Sequence, residues 1–160
     1  MISARILEPQ PHHADGLVAL STAFACEHEW SQNMPIGRIH TFEAAQAKLF
    51  GDNVQVTLVA EAPDGKVMGY VGVYQHPDAV SASLLIGAAH RRQGLGKQLI
   101  DAAFERLPPG MTVQAWVSAV NRASLAAMGS HGFSFDRAIV HEDQEVHVFI
   151  RKQKQNHAFG

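Results

Sequence analysis

The run Leu84-Leu85-Ile86-Gly87-Ala88-Ala89-His90-Arg91-Arg92-Gln93-Gly94-Leu95-Gly96-Lys97-Gln98-Leu99-Ile100 constrains this chain more than any other. An apolar strand ends at Ile86, a short turn carries two arginines, and two glycines open a helix. Leu95, Leu99, Ala103 and Leu107 form one stripe of that helix, with Ile100 and Phe104 alongside, and Pro108-Pro109-Gly110 ends it. A helix start exposes unpaired N–H groups and roughly half a positive charge. Glycines remove the Cβ atoms that would keep a bulky anion away. Arg91, Arg92 and Lys97 add cations beside the turn. The stretch therefore predicts a phosphate or pyrophosphate cradle at a helix N-terminus. The plain alternative is a glycine-tolerant turn that binds nothing.

Spacing eliminates two common phosphate loops. A Walker A loop would need Gly where Arg91 stands and Ser or Thr where Gln98 stands. The dinucleotide fingerprint would need a third glycine at Leu99. What remains, Arg91-x-x-Gly94-x-Gly96 behind an apolar strand, resembles the acetyl-CoA signature of the Gcn5-related N-acetyltransferase (GNAT) family. A second motif follows one strand later: Asn121-x-x-Ser124-x-x-x-Met128-x-x-x-Gly132-Phe133. The family typically has Asn, a small residue three on, often Tyr seven on, and Gly-Phe at eleven and twelve. A helix cap and stop explain Asn121 and Gly132 alone, but not their coincidence with the first motif. Together the two motifs and the strand order cover about residues 1–152.

The resemblance implies a single-domain α+β fold, with a mixed, mainly antiparallel sheet flanked by about four helices. It implies acetyl-CoA as acyl donor and no metal. The strands ending at Ile86 and Ser118 would splay, and pantetheine would pair with free backbone groups of Leu84 and Ile86. The pyrophosphate would rest on the amides of Arg92, Gln93, Gly94, Leu95, Gly96 and Lys97, beside Arg91. Asn121, Ser124 and Met128 would face the pantetheine arm. The implied chemistry is direct attack of an amine on the thioester, which needs a deprotonated amine, a donor for the thioester oxygen and an acid for the thiolate. The oxygen donor would be a backbone N–H near Leu85 or Ile86. The usual acid is the Tyr replaced here by Met128, and methionine has no proton to give. Ser124, one turn away on the same face, is the substitute candidate; its plain alternative is a small residue chosen for packing. The strand Val80–Ile86 carries no titratable base. Glu29, with Glu27 and His28, falls where the family builds its acceptor pocket, and an acidic pair beside Trp30 suits a cationic amine. A solvated helix end is the simpler reading of the same residues. His76, His90 and His141, near strand ends, are further base candidates with no ground for choosing among them.

Whole-chain properties agree with a globular protein. The 160 residues suffice for one ordinary domain, with 46% hydrophobic and 18% charged residues. A formal charge of −2 and no basic block exclude nucleic acid as the expected partner. Cys26, the single cysteine, excludes an internal disulfide and a Cys-rich zinc site. The ten histidines form no metal-spaced motif. No stretch reads as a signal peptide or membrane span, so the expected address is the cytoplasm. A homodimer through the last two strands is a family-level expectation.

Along the chain, Ser3–Glu8 is expected as a first strand and Asp15 to about Glu29 as a first helix. Ser31–His40 reads as a loop, Thr41 opens a helix through Phe50, and Val54–Ala60 with Val67–Tyr74 makes a hairpin around Pro63-Asp64-Gly65. Val80–Ile86 turns apolar on both sides near its end, which predicts a central, buried strand end. Met111–Ser118, a short helix capped by Asn121, and strands Phe133–Val140 and Glu145–Arg151 complete the domain, with residues 153–160 expected as a loose tail. Two other function classes fit the same motifs: a non-catalytic acyl-CoA-binding sensor or interaction domain, and an enzyme moving a longer acyl group or acylating oxygen.

Overall fold

The structure is a computed structural model and describes residues 4–28 and 39–155. Its elements, in chain order, are β1 (Arg5–Leu7), α1 (His13–Glu27), α2 (Phe42–Phe50), β2 (Val54–Glu61), β3 (Val67–Gln75), β4 (Val80–Ile86), α3 (Leu95–Glu105), β5 (Thr112–Ser118), α4 (Arg122–Ala127), β6 (Ser134–His141) and β7 (Gln144–Lys152). The seven strands form one sheet in the order β1-β2-β3-β4-β5-β7-β6. Every pairing is antiparallel except β4 with β5.

Strand alternation divides the core in two. Val59 and Tyr70 turn toward α1 and α2, where they meet Ala14, Leu17, Ile39 and Leu49. Leu58, Ala60, Val71 and Val73 turn the other way, toward Leu99, Ala103 and Phe104 of α3. The short α4 lies on the α3 side as well, since Leu125, Met128 and Phe133 pack with the same cluster.

Local chemistry sets the element ends. Thr41 Oγ1 accepts the Ala44 N–H at 3.1 Å and caps α2. Asn121 caps α4 by accepting the Ser124 N–H at 3.2 Å, as its position in the sequence predicts. The turn after α4 closes at Gly132, whose φ of +82° is the left-handed conformation that favours glycine. The connection expected at His141–Gln144 tightens to two residues, Glu142 and Asp143, both at positive φ, as a twisted hairpin requires. The first helix starts two residues earlier than Asp15. The expected tail begins firmly tied: the Gln153 N–H donates to the Met111 carbonyl at 2.7 Å, and its side chain donates to the Phe104 and Leu107 carbonyls. Residues 156–160 lie outside the described residues. Among the described residues no helix is long and apolar enough to cross a membrane.

One expectation is overturned where it matters most. The end of β4 is central but not buried: Ser81 through Ile86 are all half-buried. The reason is the next pairing, which opens.

Candidate functional site

The β4–β5 ladder has two registered pairs, Ser81 with Gln114 and Ala82 with Ala115. Beyond Ala82 the strands part, although β4 stays paired to β3 through Ile86 and β5 stays paired to β7 through Ser118. The Gly87 N–H donates to the Met68 carbonyl of β3 at 2.8 Å. Antiparallel alternation then turns the backbone groups of Leu84 and Ile86 away from β3 and into the fork. One of these is taken: the Ile86 carbonyl accepts from Arg91 Nε at 3.2 Å.

Past the fork the chain makes a 3-10 turn (Ala88–His90) and reverses hand twice. Arg92 has φ +62° and Gly94, the N-cap of α3, has φ +78°. Such alternation gathers successive N–H groups into an anion-binding concavity. No side chain caps α3. The Gln98 N–H makes the first intrahelical bond, to the Gly94 carbonyl, and among the described residues none of the N–H groups of residues 91–97 finds an acceptor in a turn, loop or side chain. A Cβ at Gly94 would meet nothing within 4 Å, so this glycine borders open space at the start of α3. The residues expected from sequence to form a cradle thus present free N–H donors at the start of α3.

The side chains around it divide differently from expectation. Arg92 and Gln93 are exposed. Arg91 is turned away to hold α1 in place: it pairs with Glu27 and lies over the Phe24 ring at 5.6 Å. Lys97 pairs with Asp101 at 2.6 Å, and Asp101 also takes Arg151 at 3.1 Å. Both cations hold the Asp101 carboxyl below the usual carboxylate range, Lys97 foremost. Leu95 and Met128 are 5% exposed members of the core. Met128, at the position the resemblance assigns to the acid, packs with the α3-side core cluster. Gly96 is buried, and a Cβ there would lie 3.2 Å from His131 Nε2 and 3.3 Å from Leu84 Cδ2. A side chain at Gly96 would therefore press on His131 and Leu84. Gly96→Val should lower Tm by an amount equivalent to about 1–3 kcal/mol as His131 and Leu84 are forced aside, measured by calorimetry without ligand.

On the opposite flank, Asn121 commits Oδ1 to its cap and keeps its Nδ2 donors, and Ser124 is half-buried one turn on. Glu29 and Trp30 lie outside the described residues. Their neighbour Glu27 pairs with Arg91, whose hydrogen bond chiefly lowers its pKa.

Two features escape sequence reasoning. His131, beside Gly96, has a buried Nδ1 without a partner, and burial chiefly lowers its pKa. Nothing but adjacency to Gly132 marks it in the sequence. His12, His13 and Glu61 place ligand-type atoms within 4.8 Å of one another at the start of α1. Their chemistry does not suit a metal. The Gln10 N–H donates to His13 Nδ1 at 2.8 Å, so the ring proton sits on Nε2, which donates to Glu61 Oε2 at 2.6 Å. A metal-bound imidazole ligates through one ring nitrogen and donates from the other, whereas in His13 both nitrogens are already taken. Arg5 occupies the other Glu61 oxygen at 3.1 Å.

Comparison with known proteins identifies the family and the fold. The profile of the acetyltransferase (GNAT) family matches residues 22–133. A mycothiol acetyltransferase from Clavibacter sepedonicus is 29% identical over 133 residues, which are 82% of this chain and 40% of that protein. The chain therefore spans about two fifths of the length of this curated relative. A GNAT-family acetyltransferase from Streptococcus pneumoniae superposes with a TM-score of 0.71 at 22% identity, covering 94% of this chain and 99% of that one. YncA from Salmonella typhimurium, solved with its cofactor acetyl-CoA, superposes with a TM-score of 0.69 at 19% identity, covering 96% of each chain. At these identities the two solved structures speak to the fold.

Proposed function

The chain belongs to the GNAT acetyltransferase family, and from that premise we propose that it moves the acetyl group of acetyl-CoA to a primary amine by direct attack. The observation that carries this reading is the open β4–β5 fork leading into an α3 start whose amides are free. Acetyl-CoA supplies the activated thioester. The amides of Arg92 through Lys97 bind its pyrophosphate, and the Leu84 backbone with the Ile86 N–H pairs with the pantetheine amides. Charge-assisted bonds of the first kind are the stronger class. The Asn121 Nδ2 donors steady the arm from α4. A backbone N–H at the fork stabilises the negative charge that develops on the thioester oxygen. Ser124 relays a proton to the departing thiolate, in place of the absent tyrosine, and takes one in turn from the nitrogen as the tetrahedral intermediate collapses to amide and thiol. The acceptor pocket includes Glu29, and the exposed outer strand β6 offers an edge to a second copy of the chain.

Acetyl-CoA held at about 100 times its Kd should add about 2.7 kcal/mol of stability, which raises Tm by about 5–10 °C for a chain of this size. ATP should give no such shift. A panel of ethanolamine, spermidine, Nα-acetyl-lysine amide and a peptide with a free N-terminus, followed by thiol release, then tests transfer. No shift at saturating acetyl-CoA overturns the cradle.

A second reading has one observation in its favour. With Met128 in the core, the usual acid is missing, as in a domain that binds an acyl-CoA without turning it over. A thermal shift without thiol release from any amine selects that reading.

A further inference from the structure

His131 stands in the turn between α4 and β6, and both of its backbone groups are held. Its N–H donates to the Ala127 and Met128 carbonyls at 3.1 Å each, and its carbonyl accepts from Arg151 Nη1 at 3.0 Å. The same Arg151 nitrogen donates to Asp101 of α3 at 3.1 Å, so the turn is tied to that helix. The ring is what remains uncommitted. Neither of its nitrogens has a hydrogen-bond partner among the described residues, and Nδ1 is fully buried.

The buried nitrogen decides where the ring proton sits. An N–H at Nδ1 would be a buried donor without an acceptor, and orphaned donors are rarer than under-satisfied acceptors. The proton therefore belongs on Nε2. A second proton would add both a charge and that orphaned donor. Burial is what chiefly holds the His131 pKa down. Of the charged groups facing the ring, Lys97 of α3 and Arg151 of β7 act in the same direction, and Asp101 of α3 acts against them. The imidazole is thus a neutral donor through its Nε2 edge.

That edge lies against the start of α3. Nε2 would be 3.2 Å and Cε1 3.4 Å from a Cβ at Gly96. A Cβ sits about 2.5 Å from its own backbone nitrogen, which puts Nε2 at most about 6 Å from the Gly96 nitrogen. Two hydrogen bonds of about 2.9 Å to one shared oxygen span that distance. The Cα–Cβ bond of a helical residue tilts toward the helix N-terminus, the end at which the Gly96 N–H is free. Glycine at this position leaves out the one atom that would fill the room between ring and amide.

We propose that His131 is a ligand of the acyl donor: its Nε2–H and the Gly96 N–H donate to one oxygen of the acetyl-CoA pyrophosphate. The turn after α4 thereby adds a side-chain donor to the backbone amides of α3, while the nearby cations Arg91 and Lys97 are paired with Glu27 and Asp101. The inference rests on the acetyl-CoA reading above.

The test compares acetyl-CoA with S-acetylpantetheine, which carries the thioester and lacks the pyrophosphate, both by isothermal titration. His131→Phe keeps a buried ring and removes the donor. It should weaken acetyl-CoA binding about tenfold, the fold-change of one lost hydrogen bond to a charged acceptor, and leave the affinity for S-acetylpantetheine unchanged. His131→Gln returns a neutral N–H and should recover most of the lost affinity. Nitrogen-15 NMR of the wild-type ring should place the proton on Nε2 and show that resonance move when acetyl-CoA binds. Wild-type acetyl-CoA affinity in His131→Phe overturns the proposal. So does an equal loss with both compounds, which marks a distorted groove, and so does a ring proton on Nδ1. A wild type that acetyl-CoA does not stabilise at all refutes the cradle itself, and the His131 contact falls with it.

Discussion

Gly94→Val is expected to abolish the thermal shift given by acetyl-CoA while leaving a folded protein. Gly94 caps α3 at φ +78°, where a side chain costs about 1–2 kcal/mol, so Tm without ligand should fall by a few degrees. The larger effect is on binding. A Cβ at this position meets no protein atom within 4 Å, and on the proposed cradle a valine here competes with the pyrophosphate for the open space at the α3 start. Losing two charge-assisted hydrogen bonds at about 1.5 kcal/mol each weakens binding about 100-fold. Gly65→Val is the matched control. Gly65 has φ +88° and also open space around its Cβ position, but it sits on the β2–β3 turn. It should lose similar stability and keep the full acetyl-CoA shift. Isothermal titration of both variants checks this. Wild-type affinity in Gly94→Val would remove the cradle from the functional reading.

The parts of the molecule legible in its sequence are those written locally. The Arg91-x-x-Gly94-x-Gly96 turn, the Asn121 cap and the Gly132 stop are encoded by residues within a few positions of one another, and each is found where spacing puts it. The β2–β3 hairpin is likewise read from alternation and from Pro63-Asp64-Gly65. What the sequence conceals depends on partners far along the chain. The half-exposure of β4 follows from where β5 leaves it, and a run such as Leu84-Leu85-Ile86 reads as buried whether or not its neighbour departs. Arg91 looks like an anion ligand beside two glycines, but its partner, Glu27, is 64 residues away. Gly96 looks identical to Gly94 in the motif; only His131 packing onto it separates their roles. Met128 and the absence of a titratable group on Val80–Ile86 are functional departures visible in the sequence, and at Met128 a thioether suits the core position it occupies.

His13→Ala should cause the largest loss of stability, although it touches nothing at the fork. His13 is fully buried, and its ring bridges the Gln10 N–H and the Glu61 carboxylate. Removing it leaves the part-buried Gln10 N–H and a Glu61 carboxylate oxygen without their partner, together with a ring-sized cavity, for a cost of about 3–4 kcal/mol. Tm should fall by about 10 °C at neutral pH. The neighbouring His12→Ala is the contrast: its side chain is 64% exposed and lies 3.4 Å from the same carboxylate, so it should change stability by less than about 0.5 kcal/mol. The difference also depends on pH in a set direction. The His13 hydrogen bond, helped by His12 and Arg5, holds the Glu61 carboxyl at about 2 instead of 4.5. An unfolded chain takes up a proton near pH 4.5 that the native protein refuses until about pH 2. The stabilisation is therefore complete above pH 4.5 and disappears as pH falls through about 2. In His13→Ala the carboxyl moves back toward its ordinary value, so the gap in Tm from wild type should be full at neutral pH and narrow across the window from 4.5 to 2. Added zinc should leave the wild-type Tm unchanged, because His13 Nε2 carries the proton given to Glu61. A zinc-dependent rise in Tm would mean that this tautomer is wrong and that the cluster is a metal site after all.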